Sequence, residues 1–216
     1  MFELTARRLK DNYGISVDFL LIGSTNTNFE KSLLSLGFNV ESIFCRNKSD
    51  WPKALISTIL YLRRNKIKII HCHLLTANII GLSAGLLSFV PYRIYTRHHA
   101  MEHHRRHRKS LIFDYLSNIF STHIISTSDI VTNILNRIEN VNRSKIQQIP
   151  PVFELNQYCQ DNFDNKKKIT SKYKISKDDF VVGICSRCDP YKGVGYIIDA
   201  LGTLTSKYKN IKILFF

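Results

Sequence analysis

Acidic residues are scarce in this chain. Only 17 Asp and Glu stand against 31 Lys and Arg, which leaves a formal net charge of +14 over 216 residues. Such a surface favours anionic partners: phosphorylated ligands, acidic lipid surfaces or nucleic acid. Nucleic acid is set aside, because no helix-turn-helix, zinc module or aromatic RNA-binding strand motif is present and the basic residues are dispersed outside one loop. A secretory leader is missing too, since MFELTARRLK holds no apolar core segment. Long apolar runs are absent. The longest, LLTANIIGLSAGLLSFV at residues 74–90, is short for a membrane span and is broken by Thr76, Asn78, Ser83 and Ser88, so it reads as a buried helix. The C-x-x-C formed by Cys185 and Cys188 has no second pair to complete a zinc site, and Cys185 reads as part of an apolar strand rather than an exposed redox turn. With Cys45, Cys72 and Cys159 scattered, reduced thiols and a cytoplasmic setting follow. Internal repeats and low-complexity tracts are lacking as well.

What is present is alternation. Helical spacing over 2–13 is stopped by Gly14, and SVDFLLI (16–22) reads as a strand. Helix 28–36, strand 39–44 and a helix opening at Trp51-Pro52 follow, with Asp50 placed to cap that helix. Strand 66–73, helix 75–88, strand 92–97, helix 109–120, strand 123–128, helix 129–138 and strand 145–150 continue the pattern. Ser128 is set as an N-cap. β-Branched strands, apolar on both sides and alternating with helices, predict an α/β fold with a parallel sheet covered on both faces. Residues 1–150 read as one Rossmann-like unit, 151–175 as a polar crossover with a helix near 166–173, and 176–216 as the start of a second unit. In a doubly wound sheet a strand precedes the first helix, and here none does. The chain also closes on a bare apolar strand, IKILFF. Both ends read as cut.

The stretch FVVGICSRCDPYKGVGYIIDA (180–200) places two fixed cations, Arg187 and Lys192, in a turn between a strand and a helix. Ligands of open α/β sheets bind at the carboxyl ends of strands, where the next helix presents free N–H groups and its positive dipole. Arg187 offers a planar fork, Lys192 a compact charge, and Gly193 and Gly195 a close backbone approach. Together they describe a diphosphate site. The alternative is a solvated turn with two ordinary surface cations.

A second concentration is TRHHAMEHHRRHRK (96–109). His103 and His107 could share a helix face, but the surrounding cations oppose a metal ion, and no metal or other cofactor is expected. The basic run, with Arg105, Arg106, Arg108 and Lys109, leads into SLIFDYLSNIF. That join allows contact with an anionic membrane surface, or else a solvated loop ahead of a core helix. His71 and His73 share one strand face with Cys72 opposite, as cleft-lining or simply structural residues. His98 ends its own strand, and His99 should point the other way.

These segments, in this order, resemble glycosyltransferase family 4, the GT-B nucleotide-sugar enzymes. SRCDPYKGVGYIIDAL is similar to the family's R-x-x-x-x-K-G turn and helix. HCHLLTANIIGLSAG, YRIYTRHH, HIISTSDIV and KIQQIPPVFE are similar to its H-x-H, T-x-H, I-x-x-S and K-I-x-x-I-P segments. The resemblance implies two Rossmann-like domains and sugar transfer with retention from a nucleotide-diphosphate donor, without an essential metal. It implies a glycan or lipid-linked acceptor, hence a cytoplasmic protein with peripheral contact at the inner face of the membrane. Arg187, Lys192 and Gly193 would hold the donor diphosphate. His98 would be the catalytic histidine facing the donor sugar, with His71, His73, Thr96 and Ser128 lining the cleft. The chain departs from the family in Ser186 before Arg187, in Pro150-Pro151, and in lacking both the first strand and the later paired-glutamate motif. The rival expectation is a non-catalytic module that binds acceptor or anionic membrane and transfers nothing.

Overall fold

The computed structural model describes residues 2–101, 108–153, 163–189 and 192–216. Two units emerge, Met1–Phe153 and Glu154–Phe216.

In the first unit, helix α1 (Phe2–Tyr13) stops at Gly14, whose φ of +64° is open to glycine at little cost. Strand β1 (Asp18–Gly23) then leads through α2 (Asn28–Ser35) to β2 (Asn39–Phe44), and the two strands pair in parallel. Thr27 caps α2 by accepting the N–H of Glu30 at 3.1 Å. Helix α3 (Trp51–Arg64) crosses to β3 (Ile69–His73), followed by α4 (Leu75–Leu87), β4 (Tyr92–Arg97), α5 (Leu111–Phe120) and β5 (His123–Ser126). A short α6 (Asp129–Asn133) runs on as a π-turn over Ile134–Ile138, and β6 (Ile146–Gln148) closes the unit. Strands β3 to β6 form one parallel sheet in sequential order. This is the predicted doubly wound α/β arrangement, with strand ends within a few residues of those expected.

The long apolar run is a core helix, as read from sequence. Ile80, Leu82 and Ala84 of α4 are buried. Gly81 permits the contact: a Cβ there would stand 2.6 Å from the Sγ of Cys72, so only a bare backbone lets α4 settle on β3. No helix among the described residues is long and apolar enough to cross a membrane.

Asp50 corrects one expectation. Its side chain does not cap α3; it accepts the backbone N–H groups of Arg46 and Asn47 at 2.8 and 2.9 Å, closing a tight 3₁₀ turn ahead of the helix. Those bonds, more than any cation, hold its carboxyl below the ordinary range.

Helix α5 departs from a simple amphipathic element: Phe120 packs against the core and Phe113 on Trp51, but its most buried positions are polar. Asp114, Ser117 and Asn118 are its buried residues, while Ile112, Tyr115 and Ile119 are half exposed or more. The Nζ of Lys145 caps its C-terminal end by donating to the carbonyls of Asn118 and Ser121.

Among the described residues no ladder joins β1–β2 to β3–β6. Leu20 of β1 and Ile70 of β3 nevertheless pack against the same cluster of Tyr61, Leu62, Ala84 and Val90. The outer edge of β3 is open, and Ile69 is 56 % exposed there.

The second unit holds α7 (Phe163–Lys172), β7 (Phe180–Ile184), α8 (Val194–Lys207) and β8 (Ile211–Phe215), with β7 and β8 parallel. Cys185 is a correction here. Pairing of β7 ends at Ile184, so Cys185 lies beyond the strand, and both it and Cys188 are exposed free thiols.

Candidate functional site

Parallel pairing of β3 with β4 sets His71 opposite Ile94 and His73 opposite Thr96. Period-two alternation then puts His71 and His73 on one face and sends Cys72 into the core, where it is buried. The two rings lie 4.2 Å apart between centroids. His71 Nε2 meets the hydroxyl of the buried Thr96 at 2.8 Å, and His73 Nδ1 meets His98 Nε2 at 3.2 Å. The ring of Phe2, at the start of α1, closes on His73 at 4.4 Å. Three imidazoles thus converge at the carboxyl ends of β3 and β4, the end at which open α/β sheets take ligands.

Crowding keeps these rings neutral. Burial first, then the neighbouring imidazoles, lowers His73 to about 3; burial, then His98, lowers His71 to about 4; burial lowers His98 as well. His71 and His98 still show ring surface to water, which screens part of that penalty, so the half-buried His73 carries the firmest displacement. Neutral imidazoles can donate at one nitrogen and accept at the other, which suits hydroxyl recognition. No group of three or more metal-ligating side chains among the described residues could hold a metal ion.

Directly behind His98 lies a buried ionic network that the sequence reading missed. Arg97, 2 % exposed, pairs through Nη1 with Asp114 at 2.6 Å and through Nη2 with Glu139 at 2.7 Å. Glu139 also accepts from Asn118 Nδ2 at 2.8 Å, and Asn118 Oδ1 accepts the hydroxyl of the fully buried Tyr95. Read within the basic stretch, Arg97 looked like one more surface cation. The one available signal was Asp114, a lone acid inside the apolar helix SLIFDYLSNIF. His99 turns away from His98, with its Nε2 3.7 Å from Asp114.

The other predicted residues fall as follows. Ser128 commits its hydroxyl to the cap of α6, accepting the N–H of Val131 at 3.4 Å. Arg187 and Lys192 are exposed on the turn between β7 and α8. The carbonyl of Arg187 accepts the N–H of Asp189, and the N–H of Lys192 donates to the Asp189 carbonyl. Gly193, at φ +70°, opens α8 without a side-chain cap, so the cationic turn sits at a helix start. Arg108 and Lys109 are exposed in a 3₁₀ turn just ahead of α5. Arg105, Arg106, His103 and His107 lie outside the described residues.

Solved structures share this architecture. HepE of Anabaena, in complex with UDP and glucose, is similar over 99 % of the chain at 18 % identity with a TM-score of 0.76. A glycosyltransferase from Rickettsia africae is similar at 15 % identity and 0.70, and the UDP-GlcNAc 2-epimerase of Neisseria meningitidis, bound to UDP-GlcNAc, at 12 % and 0.68, each again over 99 % of the chain. The chain spans 56 %, 63 % and 60 % of those proteins. These likenesses establish a GT-B-like fold built of Rossmann-like units. The family model for Glycosyltransferase Family 4 matches residues 5–157, well over half of the sequence, and the chain belongs to that family. A comparison with curated protein sequences gives no match.

Proposed function

We propose that this chain serves sugar transfer from a nucleotide-diphosphate donor to a glycan or lipid-linked acceptor, with retention and without a metal. The observation that carries the reading is the family match over 5–157, which encloses the converging His71, His73 and His98. Relatives in fold are seen with UDP, UDP and glucose, or UDP-GlcNAc, which supports a nucleotide-sugar partner. In this reading Arg187 and Lys192, with the open helix start at Gly193, bind the diphosphate. Their charge stabilises the leaving group as the glycosidic bond to phosphate breaks. His98 is the catalytic imidazole on the sugar, and neutral His71 and His73 support it.

The protein works on the cytoplasmic side, in contact with an anionic bilayer. Supporting this is the outward stripe of Ile112, Tyr115 and Ile119 on α5, with Arg108 and Lys109 at its N-terminal end. Apolar side chains flanked by basic ones match the chemistry of an acidic lipid surface. Co-sedimentation with phosphatidylglycerol vesicles, lost in Ile112→Ser/Ile119→Ser and absent with phosphatidylcholine, is the expected result.

Titration with UDP- and GDP-sugars tests the central claim. Binding should be saturable, and Lys192→Ala should weaken it on the order of tenfold or more. A folded chain with no affinity for any nucleoside diphosphate sugar overturns the reading.

A further inference from the structure

His98 is the single residue between two pinned carbonyls. On one side, the carbonyl of Arg97 accepts the hydroxyl of Thr127 at 3.2 Å. On the other, the carbonyl of His99 accepts Nε of Arg97 at 3.1 Å. The same guanidinium is gripped by Asp114 from α5 and by Glu139 beyond the π-turn, at 2.6 and 2.7 Å. One planar cation therefore ties the end of β4 to two other parts of the unit and folds the chain back on itself around His98.

We propose that Arg97 is the positioning residue for His98, holding its ring against His73. This deepens the reading of His98 as the sugar-facing imidazole and rests on it for its functional meaning, though not for its test. The physical case has three parts. A guanidinium can serve two carboxylates and a carbonyl at once because its five N–H groups diverge in a fixed plane; a lysine ammonium cannot reproduce that fork. A buried ionic group is a poor means of stabilising a core, since apolar residues of equal volume do as well or better; fixing one geometry is what it supplies here. The bonds also converge on the residues before and after His98, whereas His71 is held independently by Thr96 within the β3–β4 pair.

That separate anchor makes His71 the experiment's internal reference. Histidine ring NMR on the full 216-residue chain follows His71, His73 and His98 against pH in wild type, Arg97→Lys and Thr127→Val. Among the described residues, the groups facing the His98 ring are His73 and, behind it, His71 and Thr96, with Phe2 against His73; Asp114 lies on the His99 side. In Arg97→Lys the titrations of His98 and His73 should move up toward that of a free imidazole, while His71, lowered first by burial and only then by His98, should rise less. Thr127→Val should give a smaller movement of the same sign. Unchanged titrations in a folded variant overturn the proposal, and so does an equal rise of all three rings, which would make Arg97 a support of the whole unit. Should Arg97→Lys fail to fold, as judged by Trp51 fluorescence, Thr127→Val decides by the same criteria. Because the readout is His98 itself, failure here is distinct from a failure to bind nucleotide sugar.

Discussion

Acidification should loosen the first unit ahead of general acid unfolding, and His73 sets the size of the effect. Its folded-state value, about 3, lies below that of an unfolded histidine. The unfolded chain therefore takes up a proton that the folded chain refuses. Stability is complete above the unfolded value and is lost progressively as pH falls from there toward the folded one. At pH 5 the folded ring is still neutral, and an unfolded ring with a pKa near 6.5 has gained about 2 kcal/mol from protonation. His71 and His98 act in the same direction, discounted for their exposure to water. The measurement is urea unfolding at pH 7.5 and pH 5, followed by the fluorescence of Trp51. That residue is the single tryptophan of the chain and packs on Phe113 at 5.3 Å in the first unit. His73→Gln, which fills similar space without a proton-binding ring, should remove most of the difference. The reasoning fails if wild type shows no loss between the two pH values, or if His73→Gln keeps the full loss.

Asp114→Ala leaves Arg97 buried with one carboxylate lost and should destabilise the first unit by about 3 to 5 kcal/mol, seen as a lowered urea midpoint. Gly81→Val drives side-chain carbon into Cys72 and should cost about 1 to 3 kcal/mol by the same assay, whereas Gly202→Ala, on an open helix face of the second unit, should be neutral or better by far-ultraviolet circular dichroism. Hydrogen exchange should be faster for the outward amides of β1 and β3 than for β4, which is paired on both sides; equal protection would mean that the open edges are covered in solution.

The order of elements was legible because period and punctuation agreed. Gly14 and Gly37 stop helices at φ values of +64° and +77°, and Ser128 caps α6 with its own hydroxyl. The H-x-H pattern gave more than a strand: alternation alone put both rings on one face and the thiol on the other. Which partner each would meet was not legible. The contacts of His71 with Thr96 and of His73 with His98 span 25 residues each, and they depend on a β3–β4 register that no local pattern encodes. Asp50 was misjudged for a similar reason. Its spacing fits a cap, but two amide donors immediately upstream of it were equally close in sequence, and the tight turn won.

Helix α5 marks where pattern reading stops. Its sequence has a clear helical period, and the natural assumption is that the apolar side faces inward. Arg97 modifies that, although Phe113 and Phe120 still pack inward. A guanidinium placed in the interior at the end of β4 needs carboxylate and amide partners, and α5 turns Asp114 and Asn118 toward its network to supply them. Ile112, Tyr115 and Ile119 are left outside as the consequence. The ionic anchor behind His98 and the apolar stripe facing away from it are therefore two sides of one helix, fixed by one buried charge. The exposed stripe thus follows from the needs of Arg97, and a helix that hid those side chains would leave the guanidinium short of its partners.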